Sequence, residues 1–253
     1  TEAIKLLEKH QHERFFLAVG FYRPHTPYVA PREYFSLYPL DRIAVPSIPP
    51  GYFDTIPQLA ITLKKEEAAM DENLKKQAIQ AYYAAITFMD AQLGRVLDAV
   101  ERLHLRDKTI IVMTSDHGYH MHEHGLWQKR TLFEESTRVP LLIVVPGMQH
   151  AGKSTRAIVE MVDLYPTLAE LCGFEPPANL DGTSLVPILN NPDLPGKEAA
   201  ITEVTRSVKR QTVFGYTVRT DRWRYTEWDD GNQGKELYDH DNDPQEMHNL
   251  AND

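Results

Sequence analysis

Residues 114–129 read TSDHGYHMHEHGLWQK and hold four of the chain's eleven histidines. Asp116 and His117 stand side by side, and Gly118 lets the backbone turn sharply after them. A carboxylate beside an imidazole offers two donors to a divalent cation, although two ligands do not close a site and others must come from elsewhere. The same residues have a plainer reading: Asp116 caps the following turn and the histidines are solvated loop residues. Lys129, close after Trp127, is either a cation aimed at an anionic group or a surface lysine. His25 lies between Pro24 and Thr26-Pro27, where the proline rings stiffen the backbone, and is either a positioned proton donor or a loop histidine without a role. Tyr119, Trp127 and Trp228 carry large rings that serve as packing residues just as well as binding ones. The acidic stretch 239–243 reads as a solvated turn or a cation site.

Such groups need elements to hold them. Residues 15–20 (FFLAVG), 108–114 (KTIIVMT) and 140–147 (PLLIVVPG) are short apolar runs, the pattern of strands buried on both faces. Asp116 and His117 follow the second run directly, and open α/β sheets place their ligands at the carboxyl ends of such strands. Between the first two runs, Ile79, Tyr82, Tyr83, Ile86, Met89, Leu93, Val96, Leu97 and Val100 recur in steps of three and four. That spacing predicts one long helix within residues 63–103. A helix between strands predicts the α/β class, with a mainly parallel or mixed sheet flanked by helices.

At the start, Thr1 is expected to cap an amphipathic turn through Ile4, Leu6 and Leu7. Residues 23–57 carry eight prolines and little periodicity, which suits a functional connector. Residues 163–173, with Pro166 in the first turn and Gly173 just past the end, predict a further helix capped by Asp163, with Cys172 near its end. From about residue 197 the pattern changes to short strands at 199–205, 214–219 and 223–228, the last two joined by Thr220-Asp221-Arg222 as a hairpin turn. The expected division is therefore an α/β domain over 1–196 and a small antiparallel β subdomain over 197–253.

Composition narrows the partners. With 27 Lys and Arg against 36 Asp and Glu, the net charge is -9 and no basic run tracks a phosphate backbone, so nucleic acid is not an expected partner. No stretch reaches the ~18 apolar residues of a membrane-spanning helix. One cysteine in the chain excludes an intrachain disulfide and a Cys-rich zinc site. The absence of any Asn-x-Ser/Thr sequon speaks mildly against heavy glycosylation.

Three separated segments, FFLAVGFYRPHTP (15–27), TSDHGYHMHEHGLWQK (114–129) and ELYDHDNDPQEMHNL (236–250), occur in one order. With them the chain resembles the type I, formylglycine-dependent sulfatases of the alkaline-phosphatase-like superfamily, and looks most like the iduronate-2-sulfatase branch. The resemblance implies the sulfatase fold and hydrolysis of sulfate esters, with a 2-O-sulfated uronic acid in a glycosaminoglycan or related sulfated glycan as substrate. It implies that Asp116 and His117 are Ca2+ ligands, and that Lys129 and His25 hold the sulfate group and its leaving oxygen. Tyr119 and Trp127 are then the expected substrate-binding aromatics. A periplasmic, extracellular or lysosomal-like location is implied as well.

One departure bears on the nucleophile. In the family it is a cysteine in Cys-x-Pro/Ala-x-Arg, oxidised to formylglycine, whereas the cysteine here reads Cys172-Gly173-Phe174-Glu175-Pro176. The formylglycine, the paired aspartates that complete the metal site, and an arginine and a lysine beside the nucleophile are therefore expected upstream of Thr1. On that reading the chain is the C-terminal portion of a sulfatase, its partner is the N-terminal portion of the same protein, and alone it exposes a sheet edge and apolar surface. His122 stands where relatives often have Gly, so the loop over 118–125 is expected to differ in shape. Two other classes remain open: a phosphate or phosphonate ester hydrolase of the same superfamily, and a non-catalytic glycan-binding fragment.

Overall fold

The computed structural model describes residues 1–252. In chain order its helices are α1 (Glu2–His10), α2 (Arg32–Phe35), α3 (Tyr52–Thr55), α4 (Lys65–Ala68), α5 (Glu72–Arg102), α6 (Glu134–Thr137), α7 (Leu164–Leu171) and α8 (Val186–Asn190). Its strands are β1 (Ile111–Thr114), β2 (His120–Met121), β3 (Trp127–Gln128), β4 (Leu141–Val144), β5 (Ala200–Val208), β6 (Gln211–Arg219), β7 (Trp223–Trp228) and β8 (Lys235–Asp239). The chain divides into two interleaved compact units. The first comprises Thr1–Ser47, Leu63–Val112 and Met121–Trp127; the second comprises Ile48–Thr62, Met113–His120 and Gln128–Asp253. Position 196/197, where the sequence pattern changes, lies inside the second unit.

The first unit is organised by α5. Asp71 caps it by accepting the Leu74 N–H at 2.7 Å, and the apolar positions that recur every three or four residues supply its buried face. Val96, Ala99 and Val100 pack with Leu7 of α1 and with Leu105, and Phe15, Leu17 and Ile111 close round them. Thr1 precedes α1 but makes no side-chain cap, so the expected capping bond does not form. Residues 15–20, expected as a strand, are irregular. Phe15 and Leu17 face the cluster while Phe16 is 87% exposed, which is the alternation of an extended chain with one packed face. A strand also needs a ladder partner, and among the described residues none pairs with this segment. The first part of the proline-rich connector lies along α5, where the Gln80 amide donates to the Tyr38 carbonyl at 2.8 Å and the hydroxyls of Tyr38 and Thr87 meet at 2.5 Å. The peptide bonds before Pro24 and Pro27 are both cis.

In the second unit β4 and the end of β1 form a two-stranded sheet, and β5-β6-β7-β8 form an antiparallel meander in sequence order. The hairpin through residues 220–222 is present, with Arg219 paired to Arg224. Two features go beyond the expected strands. Val208 pairs with Gln211, leaving Lys209 and Arg210 at φ 48° and 70°, the two left-handed residues of a tight hairpin turn. Strand β8 adds a fourth member. Trp228 fills the face of the meander, and Gly215 is required opposite it, since a Cβ there would meet the indole at 2.5 Å. Helix α7 ends as expected, with Gly173 at φ 75°. Asp163 does not cap it: its buried carboxylate accepts from the Glu160 and Thr183 N–H groups and from Lys197. No helix among the described residues is long and apolar enough to cross a membrane.

Candidate active site

Strand β1 ends at Thr114, and the chain turns immediately into Ser115, Asp116 and His117. The Ser115 hydroxyl donates to the His117 carbonyl at 2.9 Å and tightens the turn. Gly118 then passes so close to α6 that its N–H donates to the Ser136 carbonyl at 2.9 Å. A Cβ on Gly118 would lie 1.9 Å from the Glu135 carbonyl oxygen and 2.9 Å from that of Arg138. The glycine is therefore needed for close approach, a requirement its place in the sequence does not separate from the need for a turn.

This anchoring sets the chemistry of the pair before it. His117 Nδ1 lies 2.8 Å from the Gly118 carbonyl oxygen, which can only accept, so the ring proton sits on Nδ1. Nε2 is left with its lone pair, 3.6 Å from Oδ2 of Asp116, whose side chain is 87% exposed. Two electron-pair donors facing one another at that distance are stabilised by a cation or a proton between them. The donor set thus fits a divalent metal: the carboxylate suits a hard ion such as Ca2+, while the imidazole is the less usual ligand for it.

Lys129 belongs to the same unit as this pair, is half-buried, and follows β3 between Gln128 and Arg130, which adopt φ 70° and 73°. Tyr119 is half-buried in that unit too. His25 and Trp127 belong to the first unit. Nδ1 of the exposed His25 lies 2.7 Å from the Thr26 carbonyl oxygen, which fixes that nitrogen as the donor and leaves Nε2 as the atom able to gain or give a proton. Arg23 secures the loop by donating to the carbonyls of His25 and Val29. Trp127 does not display a ring face: it is only 5% exposed, packs 5.8 Å from His122, and its Nε1–H meets no acceptor among the described residues.

The other histidines of the motif are not solvated loop residues. His120 and His124 are fully buried, and His120 Nε2 meets the Thr131 hydroxyl at 2.7 Å. His122 sits at φ 88°, backbone that glycine adopts freely, and its Nδ1 lies 3.0 Å from the Pro46 carbonyl oxygen. Burial pushes its pKa below 6.5 despite that hydrogen bond.

Glu134, His240 and Glu246 form a second set with metal-ligand chemistry. Their carboxylates are already engaged by Arg224, which ion-pairs with both glutamates, so the set reads as a buried ionic network. Sequence reasoning did not reach it, because its members lie 90 and 22 residues from Arg224 and no local pattern announces the pairing.

The sequence model of the Sulfatase family matches residues 1–174, and that of the N-sulphoglucosamine sulphohydrolase C-terminal region matches residues 122–253. A Formosa agariphila protein named Sulfatase is 36% identical over 255 residues, taking in 98% of this chain and 48% of that protein. The iduronate 2-sulfatase of Mus musculus is 32% identical over 338 residues, covering 100% of this chain and 61% of the relative. The solved structure of the phosphonate monoester hydrolase of Agrobacterium radiobacter superposes with a TM-score of 0.87 at 26% identity, over 100% of this chain and 55% of that one. The chain spans about half to three-fifths of the length of the curated relatives it matches. With both sequence models and both relatives agreeing along its length, the chain belongs to the sulfatase family.

Proposed function

We propose that the protein carrying this chain hydrolyses sulfate esters, with a 2-O-sulfated uronic acid in a glycosaminoglycan or related glycan as its substrate. The observation that carries the reading is the Asp116–His117 donor pair, proton-fixed by the Gly118 carbonyl, in one unit with Lys129. Likeness to an iduronate 2-sulfatase supports the uronate as the sugar. In this reading Asp116 and His117 hold Ca2+, which supplies positive charge against the sulfuryl oxygens. Lys129 binds the same oxygens and stabilises charge that grows as the ester bond breaks. His25, with Nδ1 held by Thr26, gives a proton from Nε2 to the departing alkoxide. Tyr119 lines the sugar. Cys172 ends α7 in a sequence without the Cys-x-Pro/Ala-x-Arg pattern, so the formylglycine nucleophile is assigned to residues outside these 253.

The test uses the full-length protein and follows sulfate release from a 2-O-sulfated uronate disaccharide beside hydrolysis of a phosphonate monoester. Sulfate release that falls at least about a hundredfold in Asp116→Asn and Lys129→Ala, and that chelation abolishes, is the expected result. The fold similarity to a phosphonate monoester hydrolase supports a second reading, and preferential phosphonate turnover would put it first.

A further inference from the structure

Lys129 stands between two residues whose backbone needs help. Gln128 and Arg130 both adopt left-handed φ, a conformation that side-chain-bearing residues keep only where their surroundings impose it. For Arg130 the surroundings come from the C-terminal meander, within the same unit. Arg206 of β5 donates from Nη2 to the Arg130 carbonyl at 2.6 Å, from Nε to the Leu59 carbonyl at 3.0 Å and from Nη1 to the Thr205 carbonyl at 3.2 Å. Its guanidinium also lies 4.9 Å from the centre of the Trp228 ring. Further along, Arg224 of β7 donates to the Leu132 carbonyl at 3.2 Å.

The partners of Arg206 are carbonyl oxygens and an indole face, with no carboxylate among the described partners, so they offset the burial of its charge only in part. Burial and the charge of Arg130 push its guanidinium down to about 10, so it stays charged at neutral pH. A half-buried cation is retained here at a cost, and what it holds is the backbone directly after Lys129. Lysine could not replace it, since a single ammonium lacks the planar fork that reaches three carbonyls at once.

We propose that Arg206 is a positioning residue for Lys129: by holding the Arg130 carbonyl it fixes the left-handed backbone directly after Lys129 and so the place from which the ammonium meets the sulfate group. The proposal rests on the reading of Lys129 given above. Sulfate release from the 2-O-sulfated uronate disaccharide is measured for the full-length protein, Arg206→Lys, Lys129→Ala and the double variant. Arg206→Lys is expected to lower kcat about tenfold or more with a smaller change in KM, and to cost less than about twofold once Lys129 is already Ala.

Equal effects of Arg206→Lys with and without Lys129 would overturn the positioning role, as would wild-type kinetics of the single variant. If Lys129→Ala itself has wild-type activity, the reading of Lys129 falls instead. A second measurement does not depend on activity or on how the variant folds. Limited trypsinolysis of the wild-type protein should spare the bonds after Lys129 and Arg130 while cutting in the exposed turn at Lys209 and Arg210. Equal cleavage at both places would show that the segment is not held, and would overturn the proposal.

Discussion

Replacing Gly118 with Ala tests whether the donor pair is held by backbone packing. The new Cβ would stand 1.9 Å from the Glu135 carbonyl oxygen, 2.9 Å from its carbon and 2.9 Å from the Arg138 oxygen, all atoms of α6 or its C-cap. None is the tip of a flexible side chain, so relief requires the strand end and α6 to separate. Overpacking of this kind costs about 1–3 kcal/mol, and loss of the Gly118-to-Ser136 bond adds about 1 kcal/mol. The sum, about 2–4 kcal/mol, lowers Tm by roughly 4 °C or more in a domain of this size. Gly94, in the middle of α5, is the control: a Cβ there meets nothing within 4 Å, and Gly94→Ala should stabilise by up to about 1 kcal/mol. Scanning calorimetry of full-length wild type and both variants separates the cases, with sulfate release recorded alongside. Gly118→Ala melting with the wild type would refute the reasoning, since a rigid contact of that length cannot be absorbed without cost.

Arg224→Met should destabilise by about 3–5 kcal/mol in denaturant titrations, because Arg224 is 1% exposed and its loss takes the guanidinium partner from the buried Glu246 and from Glu134; a change under about 1 kcal/mol would mean the network is not a paired one. Glu246 gives an acid limb to stability. Burial raises its pKa, but the His240 hydrogen bond, the charge of Arg224 and the Glu134 N–H outweigh that and hold it below 4.5. Its contribution is present above pH 4.5 and is lost as pH falls through the lower folded value. His122 acts at milder acidity: with its folded pKa below 6.5, the unfolded chain binds more protons, so stability declines as pH drops below 6.5, and His122→Asn should flatten the Tm profile between about pH 6.5 and 5. Asp71→Ala should cost about 1 kcal/mol through loss of the α5 cap, seen as a lower denaturation midpoint.

What could be read in advance follows the range of the forces involved. Helix α5 announced itself because its buried face repeats within the helix, and β7 because its alternation and its turn residues are local. The turn of the β5–β6 hairpin carries no local signal, since Lys209-Arg210 has none of the Asn-Gly chemistry that marks left-handed pairs, yet the strands impose it. Residues 15–20 show the converse: an apolar run fixes burial on one face, while strand character depends on a partner. At the site, Asp116 and His117 could be picked out by type and position, but the tautomer set by Gly118 and the clamp of Arg206 on Arg130 are contacts between distant segments. Trp127, one of the aromatics expected to meet a sugar, is 5% exposed, and composition does not tell a packing ring from a displayed one.

The buried guanidinium of Arg224 also bears on the order in which the protein assembles. Strands β5 to β8 are joined by short connections, so the meander can nucleate locally and fast. Its interior, however, holds a charge whose partners are Glu246, 22 residues on, and Glu134, 90 residues back. Until both arrive, the collapsed meander carries an unpaired cation in its core, and closing the longer loop is the slower event. During synthesis the segment bearing Lys129 and Glu134 emerges first and is waiting when β7 forms. The ion pairs thus tie the sheet to the segment that carries Lys129, since the buried cation of β7 is matched only when Glu134 and Glu246 are both in place.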